Sequence, residues 1–310
     1  MSAYEVVNVT PDTPEWEEER RTSIGASEVA AVMGLSKWAT PLDVYKAKHG
    51  VDRPIDVERA FWGHEAETGL HNWVEQLSGI DVRLEPGFMA RSVEVPYLHA
   101  TFDRVSYSPF LTWQFKTSSA YAGHQWDEGI PTDIRVQVQA EMFVAGTQRA
   151  AVVVVIDWKA RLFWEARDDQ FIQEQMLPAL DEAWARVRAQ NPPEPTTIAE
   201  AAEVWPSEDR SVEASELAME AVERRAVLLS DIQAQQEEAD ALKLVIAQYM
   251  ETADTLTFEG RKVLTYKTQK GRMGLDREAL ERDHPDIVAS YTRQGSPFRV
   301  MRTIPPKGSR

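Results

Sequence analysis

An α/β fold of the α+β kind is predicted by three features of this 310-residue chain. Strand-like segments at 82–88, 93–103 and 111–117 follow one another with turns between them, as in a β-meander. The run Ala151 to Trp158 is rich in β-branched residues, as a buried central strand is. Helical segments lie before, between and after these strands, so the order is helix, meander, helix, strand, helix.

The elements follow in order. Trp16 to Arg21 begins a short charged segment. Ala26 to Met33 reads as a small-residue helix with Ser23 or Ser27 as its N-cap. Pro41 to Gly50 has Pro at its opening and Gly at its close, the usual asymmetry of a helix. Glu58 to Leu77 is a longer helical stretch. After the meander, Asp133 to Val144 is helical, Phe163 to Arg167 adds a strand, and Asp168 to Arg188 is a closing helix. Gln190 to Pro195 contains three prolines and breaks the chain. All ten Trp lie at or before Trp205, so a domain boundary is placed near 190 to 207.

The second part differs. Glu213 to Glu251 is rich in Ala, Glu, Leu, Arg and Gln. Its apolar residues (Leu217, Val222, Leu228, Ile232, Leu242, Val245, Tyr249) are not spaced as clean heptads. Between one long helix and a helical hairpin, a packed hairpin is favoured over a zipper. A β-hairpin turning at Glu259-Gly260 and a short helix from Asp276 to Arg282 follow. Arg261 to Met273 holds five basic residues and no acid, and Arg299 to Arg310 four more. These suit contact with DNA or a partner protein, or equally a solvated edge and tail.

Composition bounds the function. With 43% hydrophobic residues the chain can build a real core. It lacks an apolar run of the ~18 to 20 residues that a membrane helix needs, and its first residues lack a signal-peptide profile. A cytoplasmic protein with no membrane role is expected. The absence of Cys excludes disulfides, a thiol nucleophile and zinc fingers. A net charge of −16 argues against coating DNA, although a cleft can be positive on an acidic body.

The chemistry concentrates at Asp103 and Trp113 to Lys116. On a strand, Gln114 and Lys116 share one face while Phe115 points the other way, into the core. A carboxylate, a polar ligand position and a lysine converging in this way suit metal-dependent phosphodiester chemistry. The middle position is Gln where a carboxylate is expected.

Five pieces in order resemble the PD-(D/E)XK nuclease superfamily, and within it the phage lambda exonuclease and YqaJ-type viral recombinase family. They are Trp16-x-x-x-Arg20 leading to Gly25-Ala26-Ser27-Glu28-Val29; Gly63-x-x-x-Glu67; Phe102-Asp103; Gln114-Phe115-Lys116; and Gln137-Val138-Gln139 on a helix that ends in Val144-Ala145-Gly146. The resemblance implies a restriction-endonuclease-like core, a mixed β-sheet flanked by helices, over residues 1–195. Residues 208–310 would be an extension of helical hairpin and β-hairpin that contacts a partner or DNA.

By that resemblance Asp103, Gln114, the Phe115 carbonyl and Glu67 would hold Mg²⁺, with Mn²⁺ as substitute, since hard cations take oxygen ligands. Glu65 competes with Glu67, whose spacing fits better. Lys116 would orient the attacking water or stabilise phosphoryl charge, and Gln137 would hold the helix or the water. Arg20 and Ser27 would grip a 5′-phosphate at a helix start. The implied activity is degradation of linear duplex DNA from 5′-phosphorylated ends to leave 3′ single strands. A single-strand annealing protein is an implied partner, and a homo-trimer the implied assembly. Gln114 leaves three readings: a branch that works with Gln, an inactivated end-binding variant, or a carboxylate relocated to Glu141, four residues after Gln137. An endonuclease of the same superfamily is a further alternative.

Overall fold

The computed structural model describes residues 2–10, 13–54, 56–295 and 298–304. It divides into two compact units, Met1–Val204 and Trp205–Arg310.

In the first unit, β1 (Tyr4–Val7), α1 (Pro14–Arg21), β2 (Ile24–Gly25), α2 (Val29–Val32), α3 (Pro41–Lys48) and α4 (Val57–Leu77) precede the main strands. Then come β3 (Glu85–Pro86), β4 (Met89–Ser92), β5 (Leu98–Thr101), β6 (Arg104–Tyr107) and β7 (Phe110–Ser118). After them α5 (Thr132–Ala145) leads to β8 (Arg149–Ile156) and β9 (Lys159–Ala166), and α6 (Leu177–Arg188) and α7 (Ile198–Val204) close the unit.

One sheet runs β3-β6-β7-β8-β9 and the other β1-β4-β5-β2. In the five-stranded sheet only β7 and β8 are parallel, with Gln114 opposite Val152 and Lys116 opposite Val154. A parallel pair needs a crossover, and α5 supplies it. The valine run of β8 is buried on both faces. Ala151 and Val153 pack with Trp113, Phe115 and the α4 residues Leu70 and Val74. Val152 and Val154 pack with Val138 and Met142 of α5 and with Trp126. The β7–β8 pair is thus sandwiched between α4 and α5.

Helix α5 ends where Gly146 takes a left-handed φ of 71°. Thr147 N–H donates to Met142 O and Gly146 N–H to Phe143 O, a paired closure that glycine favours.

Several expectations need correction. The segment Ala26–Met33 is a 3₁₀ turn, Ala26–Glu28, followed by four α-helical residues. Neither Ser23 nor Ser27 caps it. The Glu28 carboxylate accepts from Gly25 N–H instead, and Ser23 is buried against His99. The strand expected at 93–103 starts only at Leu98, because Pro96 cannot donate to a ladder and Ser92 Oγ caps a turn at Val95. The segment 82–88 keeps two strand residues before Gly87 breaks the run. The closing helix contains a π-helical turn, Ile172–Met176. Strands β1 and β2 were not foreseen.

In the second unit, the expected helical hairpin is a single helix, α8 (Glu216–Met250), of 35 residues. It holds neither Gly nor Pro, so nothing in it turns the chain. Ser215 caps its start. Strands β10 (Thr255–Phe258) and β11 (Arg261–Thr265) form a hairpin in which both Glu259 and Gly260 have positive φ, a primed turn matched to strand twist. Helices α9 (Arg277–Asp283) and α10 (Pro285–Tyr291) follow. Residues 305–310 of the basic tail lie outside the described residues. No helix among the described residues is long and apolar enough to cross a membrane.

Candidate active site

Asp103 sits in the turn between β5 and β6, directly beside the middle of β7. One of its carboxylate oxygens accepts from the Phe115 N–H at 2.7 Å and from the Gln114 amide. Gln114 Oε1 accepts in turn from Gln137 Nε2 at 3.0 Å, which also donates to Glu141 at 2.8 Å. Gln137 Oε1 accepts from Lys116 Nζ at 3.1 Å. The amide orientations are those that give each of these atoms a partner; turning Gln114 over would set its oxygen against the carboxylate. Gln114 and Lys116 therefore point from β7 toward α5, while Trp113 and Phe115 point to the α4 side.

Burial dominates the electrostatics. It pushes Asp103 up to about 6, opposed by Lys116, by the Phe115 N–H and by Arg104, while Glu67 pushes it further up. Burial also pushes Glu141 up to about 8, with the Asp103 charge adding to it and Lys116 opposing. Burial and the neighbouring Asp103 charge thus both favour the neutral form of Glu141.

A cavity of about 850 Å³ is lined by Glu67, Asp103, Gln114, Phe115 and Lys116, together with Arg59, Phe61 and Gly63 of α4. Gly63, on the helix one turn before Glu67, leaves open space where a side chain would stand. Glu67 is held by Arg104 at 3.1 Å, a partner the sequence did not suggest. Glu65 does not line this cavity.

The donor set is two carboxylates, an amide oxygen and a backbone carbonyl, all oxygen, which suits a hard divalent cation in kind. Burial is what makes an ionised Asp103 costly here, and a cation beside it would offset that cost. Among the described residues no group of three His, Cys, Asp or Glu is placed to share an ion. A cation in this cavity would have at most the carboxylates of Asp103 and Glu67 beside neutral oxygens, and Gln114 would have to turn its oxygen toward Asp103 to join them.

Arg20 and Ser27 do not line this cavity, and each lines a different one. Arg20 stacks on Trp16, its guanidinium carbon 4.5 Å from the ring centre, which accounts for the i, i+4 spacing of that motif. It lines a cavity of about 260 Å³ with Arg21, Lys48, Arg53, Glu28 and Asp52. Ser27 lines another, of about 360 Å³, that also reaches Lys116 and Gln137. Glu28, Ala47 and Arg53 border both. The helix at Ser27 is too short to present an anion-binding end, so basic side chains are the anion-attracting groups there. Lys48 is buried against Glu28 at 2.6 Å and the Arg20 carbonyl at 2.9 Å. Burial lowers its pKa, against the attraction of Glu28.

Residues 15–148 match the family described as the YqaJ-like viral recombinase domain. The uncharacterized protein YqaJ of Bacillus subtilis (strain 168) is 33% identical over 177 residues, which are 55% of this chain and 54% of that protein. The chain thus spans about half the length of that relative. Among solved structures, LHK-Exo in complex with dAMP is similar over 58% of this chain and 94% of that one, with a TM-score of 0.50 and 19% identity. Another structure of the same alkaline exonuclease, from Laribacter hongkongensis, has a TM-score of 0.47 and 18% identity over the same shares. The likeness at 0.50 supports an exonuclease-type fold for the first unit.

Proposed function

We propose that this chain, whose residues 15–148 match the family described as the YqaJ-like viral recombinase domain, is a DNA exonuclease that uses a divalent metal, Mg²⁺ by preference. The observation that carries the reading is the convergence of Asp103, Glu67, Gln114, Phe115 and Lys116 on one cavity.

The substrate in this reading is linear duplex DNA with a 5′-phosphate, resected to leave a 3′ single strand for an annealing protein. Asp103 and Glu67 bind the metal, with Gln114 and the Phe115 carbonyl as neutral ligands. When bound, such an ion polarises the phosphate and lowers the pKa of a water. Lys116 faces the same cavity and supplies fixed positive charge for the phosphoryl oxygens. Gln137 holds the Lys116 ammonium and Gln114 together from α5, and so sets where that charge stands. Arg20 with Arg53 attracts the terminal phosphate on the α1–α3 side, with Ser27 at the passage toward Lys116. Assembly as a homo-oligomer and a place in the cytoplasm belong to the same reading.

A second reading has its own support. The Gln114 amide donates to Asp103, so the pair is satisfied without an ion. A protein that recognises DNA ends without cutting them fits that bond. The deciding experiment is nucleotide release from a 5′-phosphorylated linear duplex in Mg²⁺, for this chain and for Gln114→Glu. Release by both supports the exonuclease with Gln114 as a working ligand. Release by the variant alone identifies a silenced nuclease, and release by neither, with Mn²⁺ also tried, leaves end binding. Cleavage of closed circular DNA in the same assay would point to an endonuclease.

A further inference from the structure

Three cavities of the first unit share Lys116 as a wall. Trp38 borders two of them and Arg59 two. The Arg59 guanidinium lies over the Trp38 ring, 4.8 Å from its centre. Trp38 is nonetheless 62% exposed, so much of its indole is free to take a partner. Its backbone is pinned at both ends: Trp38 N–H donates to Ser36 Oγ at 3.1 Å, and Arg53 donates to the Trp38 carbonyl. A single exposed aromatic is ordinary on a protein surface. One held in place, backed by a guanidinium and bordering cavities that reach a candidate reaction centre is not ordinary.

We propose that Trp38, backed by Arg59, is a stacking platform for an unpaired nucleobase of the strand whose phosphate lies at Lys116. This rests on the nuclease reading above and adds a substrate contact to it. A phosphate at Lys116 brings the adjoining sugar and base to the same wall, and every base has a π-face for an indole. Arg59 suits this place, since its charge faces the same cavities as the phosphate while its plane supports the ring. Such a platform is blind to sequence and sensitive to whether the base can leave its pair. Tyr121, which lines the third cavity with Lys116 and Trp38, is 90% exposed; its carbonyl lies 2.8 Å from His124 Nδ1 and its ring meets that imidazole edge-on, not the face of a guanidinium.

The test is a cycle between protein and DNA. Binding of the full chain to a 5′-phosphorylated hairpin duplex is measured by anisotropy in Ca²⁺, with absence of nucleotide release checked in the same samples. Wild type, Trp38→Ala and Trp38→Phe are compared on intact DNA and on DNA with an abasic residue at each terminal position in turn. The expected result is about a tenfold loss for Trp38→Ala on intact DNA. That loss should vanish on DNA abasic at one position and be largely rescued by Trp38→Phe. Equal losses on intact and abasic DNA, or no loss at all, would overturn the platform while leaving the nuclease reading standing. Failure of the wild type to bind DNA ends would bring down both.

Discussion

At the scale of single residues, the site turns on two amides. Each of Gln114 and Gln137 is bonded at both its oxygen and its nitrogen, so neither can turn over alone without setting like against like. A Glu at 114 would face the Asp103 carboxylate directly. We expect Gln114→Glu to raise the affinity for Mg²⁺ in calorimetry and to lower the thermal midpoint of the metal-free protein. A variant with unchanged metal affinity would mean that residue 114 is no ligand. His99 gives a separate prediction. Burial, then the charges of Lys48, Arg20 and Arg91, push its pKa down to about 3, against an ordinary value of 6.5. The folded state therefore keeps His99 neutral where the unfolded chain would bind a proton. Its contribution is intact above about pH 6.5 and is lost as the pH falls toward 3, by up to about 1.4 kcal/mol per pH unit. Urea midpoints between pH 7 and 4.5 should fall more steeply for wild type than for His99→Gln; equal slopes would exclude this. The alternation of Gln114, Phe115 and Lys116 was legible because strand geometry is local. The Arg104–Glu67 pair and the burial of Glu141 were not, since both depend on which elements meet.

At the scale of elements, the turn carrying Asp103 depends on a glycine outside it. A Cβ at Gly87 would lie 1.6 Å from the Phe102 carbonyl oxygen and 2.8 Å from the Asp103 carbonyl carbon, both backbone atoms. Gly87 N–H also donates to Asp103 O at 3.2 Å. Gly87→Ala should cost on the order of 2 kcal/mol or more, since the strands must part to admit it, and should impair metal binding along with stability. Gly69, exposed on α4 with nothing within 4 Å of its would-be Cβ, is the contrast. There Gly69→Ala should stabilise by about 0.5–1 kcal/mol, because helix entropy is the only term that changes. Thermal melts of the two variants check both; destabilisation by Gly69→Ala would refute the reasoning. Long elements with one clear signal, such as α4, α5 and β8, could be read from the sequence within a few residues. The short ones could not, because two-residue strands such as β2 exist only through the strand they pair with. Glycine and proline placed the breaks better than hydrophobicity placed the starts.

At the scale of the molecule, local patterns conveyed the kind of core but not its connections. The valine run marked β8 as a buried central strand, but its parallel pairing with β7 and the second sheet around β4 and β5 had no local signature. The extension is one helix and not the expected hairpin because residues 216–250 hold no Gly or Pro to turn the chain, a signal that apolar spacing does not carry. The division at Val204 and the loss of Trp after Trp205 have an optical consequence. Nine of the ten Trp precede the division, and the tenth is the first residue after it. Tryptophan emission is therefore almost wholly a signal from the first unit, while far-ultraviolet dichroism also weighs the 35 residues of α8. Two units that melt separately would give different midpoints by the two probes, and two that melt together the same one. Removal of residues 205–310 should leave the emission spectrum nearly unchanged, so the folding of the candidate nuclease can be followed by its own light inside the intact chain.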